Sequence, residues 1–209
     1  MESQDPLVDF EGISGDDERE LRAACLSGLS SNDPRKIFDA VQSIRWFRDD
    51  DGVLEALLDL LGSPEEALRA LAMDGLANLG HRDAVGPLIA HLSRGIASPE
   101  EAAHGMGVIG QIGSGGALAF LEQIVWAGNA QDVDVRSRAL EAILSIAGRG
   151  HDAALPLLEA AHASEELEAP IKEAAGFALR ELGTADWDDR GFATLEARVA
   201  PETDPEPES

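Results

Sequence analysis

Apolar residues recur along the chain at helical spacing, in pairs of stretches divided by a short polar or glycine turn. The pattern is plainest between Pro64 and Leu92. There Leu68, Leu71, Leu76 and Leu79 share one face of a first helix, and Val85, Leu88, Ile89 and Leu92 follow i, i+3, i+4, i+7 on a second. The intervening LGHRDAVGPLI predicts that the first helix ends at Gly80, that Asp83 caps the second, and that Pro87 lies in its first turn. The same order starts again from Pro34, Pro99 and Asp134, and its first half from Pro170. The turn glycines Gly80, Gly113, Gly148 and Gly183 are 33, 35 and 35 residues apart, and the Arg48-Asp49 turn lies 32 before Gly80. One helical pair per period predicts an all-α, right-handed solenoid of about five helical hairpins.

The ends depart from the repeat, as they must where a terminal unit has no neighbour to cover it. Asp16 to Leu29 reads as a capping helix with Leu21, Ala24, Cys25 and Leu29 apolar. Trp187 to Val199 reads as a last second helix sealed by Trp187, Phe192 and Leu195. The expected division is an acidic tail over 1–15, a repeat domain over 16–199, and a disordered, acidic and proline-rich tail over 200–209.

These units resemble HEAT repeats, in particular the short HEAT-like kind first named from phycobilin lyases, whose consensus is similar to LGHRDAVGPLIAHL. The resemblance spans roughly residues 33 to 183. It implies a solenoid whose second helices line the concave surface. It implies little about activity, because such repeats serve scaffolds, adaptors and a few enzymes alike.

One short motif points elsewhere. Gly105, Gly107 and Gly110 spell G-x-G-x-x-G, the fingerprint of a dinucleotide-binding turn, which has meaning only after a buried strand and at the mouth of a helix. RGIASPEEAAH precedes it and holds no strand-length apolar run. Ser98, Pro99, Glu100 and Glu101 instead start a helix with a cap, a first-turn proline and acids at the positive dipole end. The three glycines therefore fall inside the first helix of the third unit. Each costs about 1 kcal/mol of helix stability relative to alanine, which predicts that this helix is the softest of the array and a hinge.

Composition supports helices: 44% of residues are hydrophobic but only 4% aromatic, with Leu and Ala dominant and no Tyr. Forty acids against sixteen bases give a net charge of −24. Such a surface repels phosphate backbones and acidic lipids, which counts against nucleic acid and membrane as partners. No apolar run approaches the roughly 20 residues of a membrane span, and the N-terminus has no signal-like core. With the single Cys25, which excludes an internal disulfide, this points to the cytoplasm. Only Lys36 and Lys172 are lysines. Acid-rich, lysine-poor chains are typical of salt-loving cells, though a GC-rich genome alone also favours Arg over Lys.

Candidate chemistry is sparse. The residues after His81, His91, His104, His151 and His162 are Arg82, Leu92, Gly105, Asp152 and Ala163. The His-Glu pairs by which the HEAT-like deoxyhypusine hydroxylases hold iron are absent, and no two histidines have ligand spacing on a helix. Cys25 lies on the apolar face of the capping helix, and no G-x-S-x-G elbow occurs. Asp49 to Gly52 carries the residue types of a calcium loop, but helix follows at once. No catalytic set, cofactor or metal site is expected.

What remains is recognition of a protein partner, one with a basic surface being favoured by the charge. On the outer faces of the second helices the expected contact residues are Glu55, Asp59, His91, Arg94, Phe120, Gln123 and Glu159. Phe120 and Trp126 stand either as exposed anchors or folded against the next repeat. The reading is a scaffold or adaptor. The alternatives are a HEAT-like lyase or protein-modifying enzyme, and a polyanion mimic that occupies a basic partner.

Overall fold

The computed structural model describes residues 15–183, apart from Asp49 and Ile96. These residues form helices and no strand: α1 (Gly15–Leu29), α2 (Pro34–Ser43), α3 (Asp51–Leu61), α4 (Glu66–Leu79), α5 (Val85–Leu92), α6 (Pro99–Ile112), α7 (Leu118–Val125), α8 (Val133–Gly148), α9 (Leu155–Ala163) and α10 (Ala169–Glu181). The expected last helix over Trp187–Val199, the tail 200–209 and all of the tail 1–15 but Gly15 lie outside the described residues.

Helix starts follow local chemistry. Asp33 accepts from the amide of Arg35 ahead of Pro34, and Asp132 accepts from Asp134. The Ser98 hydroxyl accepts from Glu101 ahead of Pro99. Asp50 caps α3 through Gly52 and Val53 and also receives Arg22 of α1 at 2.8 Å, so the acidic run before Gly52 is a cap. Arg22 first, and the capping amides with it, hold the Asp50 carboxyl below its ordinary range.

Two turns differ from expectation. Before α5 the chain makes a short 3-10 turn, Arg82–Ala84, capped by the His81 ring nitrogen accepting from the Asp83 amide, so His81 rather than Asp83 caps this turn. In the fourth unit Gly148 is still helical, and the left-handed residue is Gly150 with φ 85°. Gly80, with φ 70°, ends α4 as expected.

The helices sort into two layers. The first helices of the units, α2, α4, α6, α8 and α10, pack side by side in chain order. The helices α1, α3, α5, α7 and α9 each pack against the first helix that follows. Between the layers runs one continuous core, from Cys25 and Ile37 through Leu57, Leu76, Leu88, Ile109, Leu121 and Ile143 to Leu158 and Leu179. Each fully buried Leu or Ile contributes about 1.5–3 kcal/mol, so the stack is held mainly by this apolar seam. A polar ladder runs beside it. The side chain of Asn78 donates to the Val41 carbonyl at 3.4 Å, Gln111 to Ala77 at 3.1 Å, and Arg149 to Gly113 at 2.8 Å. Each rung takes a carbonyl near the C-terminal end of the preceding first helix, where intrahelical donors run out.

Candidate interaction surface

The second-helix residues divide when placed in space. Glu55 and Asp59 on α3, Arg94 just beyond α5, and Gln123 on α7 are exposed. Glu159 on α9 is half-buried. Phe120 and Trp126 are half-buried and packed against the core. His91 is the correction: only 4% of it is exposed, and it turns inward.

His91 belongs to a buried polar joint that spans α4, α5 and α6. The Glu101 carboxylate receives Arg69 through two parallel bonds, Nε to Oε1 and Nη2 to Oε2, both 2.6 Å. His91 Nε2 lies 2.8 Å from the same Oε1, and because a carboxylate only accepts, Nε2 carries the proton and donates. The remaining Arg69 nitrogen donates to the carbonyls of Ser63 and Pro64 at 3.1 and 3.0 Å, which ties the loop after α3 into the same joint. Arg69 first, then His91, draws the Glu101 pKa down to about 2, against the opposing effect of burial. Glu101 is therefore ionised at neutral pH with its oxygens occupied, a fastening and not a free acid or base. The Ser98-to-Glu101 capping spacing was visible in the sequence; its partners from α4 and α5 were not.

Arg136 stands at the matching register of α8 and is also buried. It donates to the Val125 carbonyl at 2.9 Å and to Glu168 at 2.7 Å. Where the third position of α6 has Glu101, α10 has Ile171, and Nη2 of Arg136 is left with no acceptor.

On the outer side of the first-helix layer lies an open trough. One part, about 490 Å³, is floored by Ala77, Ala103 and Gly107 and edged by Asp74, His104, Gln111 and Arg138. An adjoining part, about 540 Å³, adds Asp132, Asp134, Ser137 and Glu141, and shares Glu100, Ala103 and Arg138 with the first. The rim thus carries Asp74, Glu100, Asp132, Asp134 and Glu141 against His104 and Arg138. Part of that charge is paired: His104 Nε2 is 2.9 Å from Asp74, and Arg138 is 2.6 Å from Glu141.

The three glycines of α6 have different surroundings. A Cβ on Gly105 would come within 2.7 Å of the Leu92 side chain, and one on Gly110 within 2.8 Å of the Ala142 Cα. One on Gly107 would meet nothing within 4 Å, and Gly107 is exposed on the trough floor. Among the described residues no group of three or more His, Cys, Asp or Glu is placed to hold a metal ion, and no helix is long and apolar enough to cross a membrane.

Stacked helical hairpins around one shared seam define an α-solenoid. Residues 54–143, from α3 into α8, match the family model described as HEAT repeats, so this part of the chain is similar to HEAT repeats. No curated protein matches the chain.

Proposed function

We propose that the protein is a non-catalytic interaction module, a cytoplasmic scaffold or adaptor, which holds a segment of a protein partner in the trough across α4, α6 and α8. The observation that carries the reading is Gly107. A mid-helix glycine costs about 1 kcal/mol relative to alanine, and no packing contact of α6 requires it. Bare backbone on a trough floor lets another chain approach closely. The rim's excess of carboxylates selects a basic segment, which brings the polyanion-mimic reading to the same surface. On the other layer, Glu55, Asp59, Arg94, Gln123 and the half-buried Glu159 form a second polar row available to a partner.

The test uses Gly107→Arg in the full chain. The new side chain obstructs the trough while improving helix propensity, so binding and stability move in opposite directions. Proteins captured from the source cells are compared between wild type and variant, with thermal melts alongside. The expected result is an unchanged or higher melting temperature together with loss of a captured protein. Equal capture by both forms removes the trough as the binding surface.

A further inference from the structure

The outer face at the end of a helical stack has no following unit to cover it and is ordinarily polar. At the N-terminal end of this array it is not. Among the described residues five large hydrophobic side chains are exposed, and three of them stand here: Leu21 of α1 at 48%, Phe38 of α2 at 50%, and Trp46 in the turn after α2 at 42%. A groove of about 560 Å³ opens between α1, α2 and that turn, walled by Leu21, Ala24, Trp46 and Phe47. Its charged lining among the described residues is one base and one acid, Lys36 and Asp39, both exposed and three positions apart on α2.

Charge decides what can cover such a face. Residues 15–48, from α1 to the end of the turn after α2, hold six acids and six bases, in a chain of net charge −24. Two copies of so acidic a chain repel through most of their surface, and at this end the repulsion is least. The two groove charges are also self-complementary. A two-fold contact repeats each pair twice, residue i of one copy against residue j of the other and j against i. With two α2 helices antiparallel about an axis between positions 36 and 39, Lys36 of each copy stands opposite Asp39 of the other, and apolar wall faces apolar wall. We propose that this face is the interface of a symmetric dimer, in which Leu21 and Trp46 of both copies close the two grooves over each other. Helices about 22 and 15 Å long, side by side at about 10 Å, offer roughly 400 Å². That is half the ~800 Å² per partner of a standard interface, so the dimer is weak and concentration-dependent. The trough across α4, α6 and α8 shares no lining residue with this face, so the dimer keeps both troughs open. If the trough reading above holds, a partner bearing two basic segments is then bound with avidity; the dimer itself does not rest on that reading.

The experiment is sedimentation velocity of the full chain alone, from micromolar to near-millimolar concentration, in about 0.15 M and about 1 M salt. The expected result is a monomer–dimer equilibrium that tightens several-fold at the higher salt, where the net repulsion between copies is screened. Leu21→Glu, at an exposed position, abolishes the dimer with the melting temperature little changed. Lys36→Asp sets like charges opposite each other twice and weakens association several-fold in the lower salt. Adding Asp39→Lys to that chain restores it, which a change in fold stability would not do. A chain that stays monomeric throughout, or a dimer indifferent to Leu21→Glu and Lys36→Asp, overturns the proposal. So does failure of the paired exchange to restore what Lys36→Asp removes. Association that weakens in 1 M salt and is lost in Gly107→Arg overturns it in favour of a head-to-tail contact, with basic residues of one copy in the trough of another.

Discussion

The two joints that α6 makes, with α4 on one side and α8 on the other, are built from opposite materials. Toward α4 and α5 a buried carboxylate gathers an arginine and a histidine from two other helices, and Ser98 adds a bond to Glu66 at 2.6 Å. Toward α8 the helices meet through Gly110 and Ala142, with Ile109, Ile143 and Leu140 closing the seam. The first joint depends on charge and hydrogen-bond geometry. The second depends on the volume of single atoms. The polar joint should therefore be sensitive to pH and to the removal of a partner, and the small-residue joint to added methyl groups but not to acid.

The largest expected effect is at the polar joint. Glu101→Ala leaves Arg69 and His91 buried without their common acceptor, and removing one member of such a set costs about 3–5 kcal/mol. Urea unfolding at neutral pH checks this, and a loss below about 1 kcal/mol would contradict the geometry. The same carboxylate sets a pH dependence. Its folded pKa of about 2 lies below the ordinary value of 4.5, so its stabilisation is complete above about pH 4.5 and is lost as pH falls toward 2. The stability gap between wild type and Glu101→Gln should narrow across that window, as followed by melts at successive pH values.

At the other joint, Gly110→Ala forces a Cβ against the Ala142 backbone, an overpacking cost of about 1–3 kcal/mol. Three residues earlier the sign reverses. Gly107→Ala meets open space and should stabilise by about 1 kcal/mol. Melting both variants at one pH separates the readings, since shifts of opposite sign cannot arise from helix propensity alone. The smallest effect is global. Raising salt from about 0.15 M to 1 M shortens the Debye length from about 8 to 3 Å and screens the repulsion within a chain of net charge −24. The melting temperature should rise modestly in wild type, and a flat profile would show that the acids are spaced too widely to interact.

Much of this architecture is legible in the amino-acid sequence. The recurring apolar faces mark the four helix pairs that begin at Pro34 and the single first helix that ends at Glu181, because helical period and turn glycines are local signals. Gly105, Gly107 and Gly110 were correctly placed within a helix. Their individual roles were not legible, since whether a glycine faces Ala142, Leu92 or solvent depends on the neighbouring helix and not on its own. Propensity alone predicts a soft α6, whereas Gly110 makes its contact with α8 one of close backbone approach. His91 was misplaced for a related reason. Its position on α5 is set by local spacing, but its inward turn is set by Glu101 on the following helix, ten residues on. The proposed trough lies on the first-helix layer, while the contacts expected from the sequence lie on the second, where Glu55, Asp59, Arg94 and Gln123 are exposed. The one local sign of the trough was a glycine with no turn to make.

The difference between the joints is tested most directly by hydrogen exchange on the intact wild-type chain at pH 7 and near pH 2, with rates corrected for intrinsic chemistry. The account predicts that α5 and the first turns of α6 lose protection at the acidic end as Glu101 takes up its proton. The Gly110–Ala142 contact, with the second half of α6 and the middle of α8, should keep the larger share of its protection. Equal loss across both joints, or loss first at α8, would contradict it.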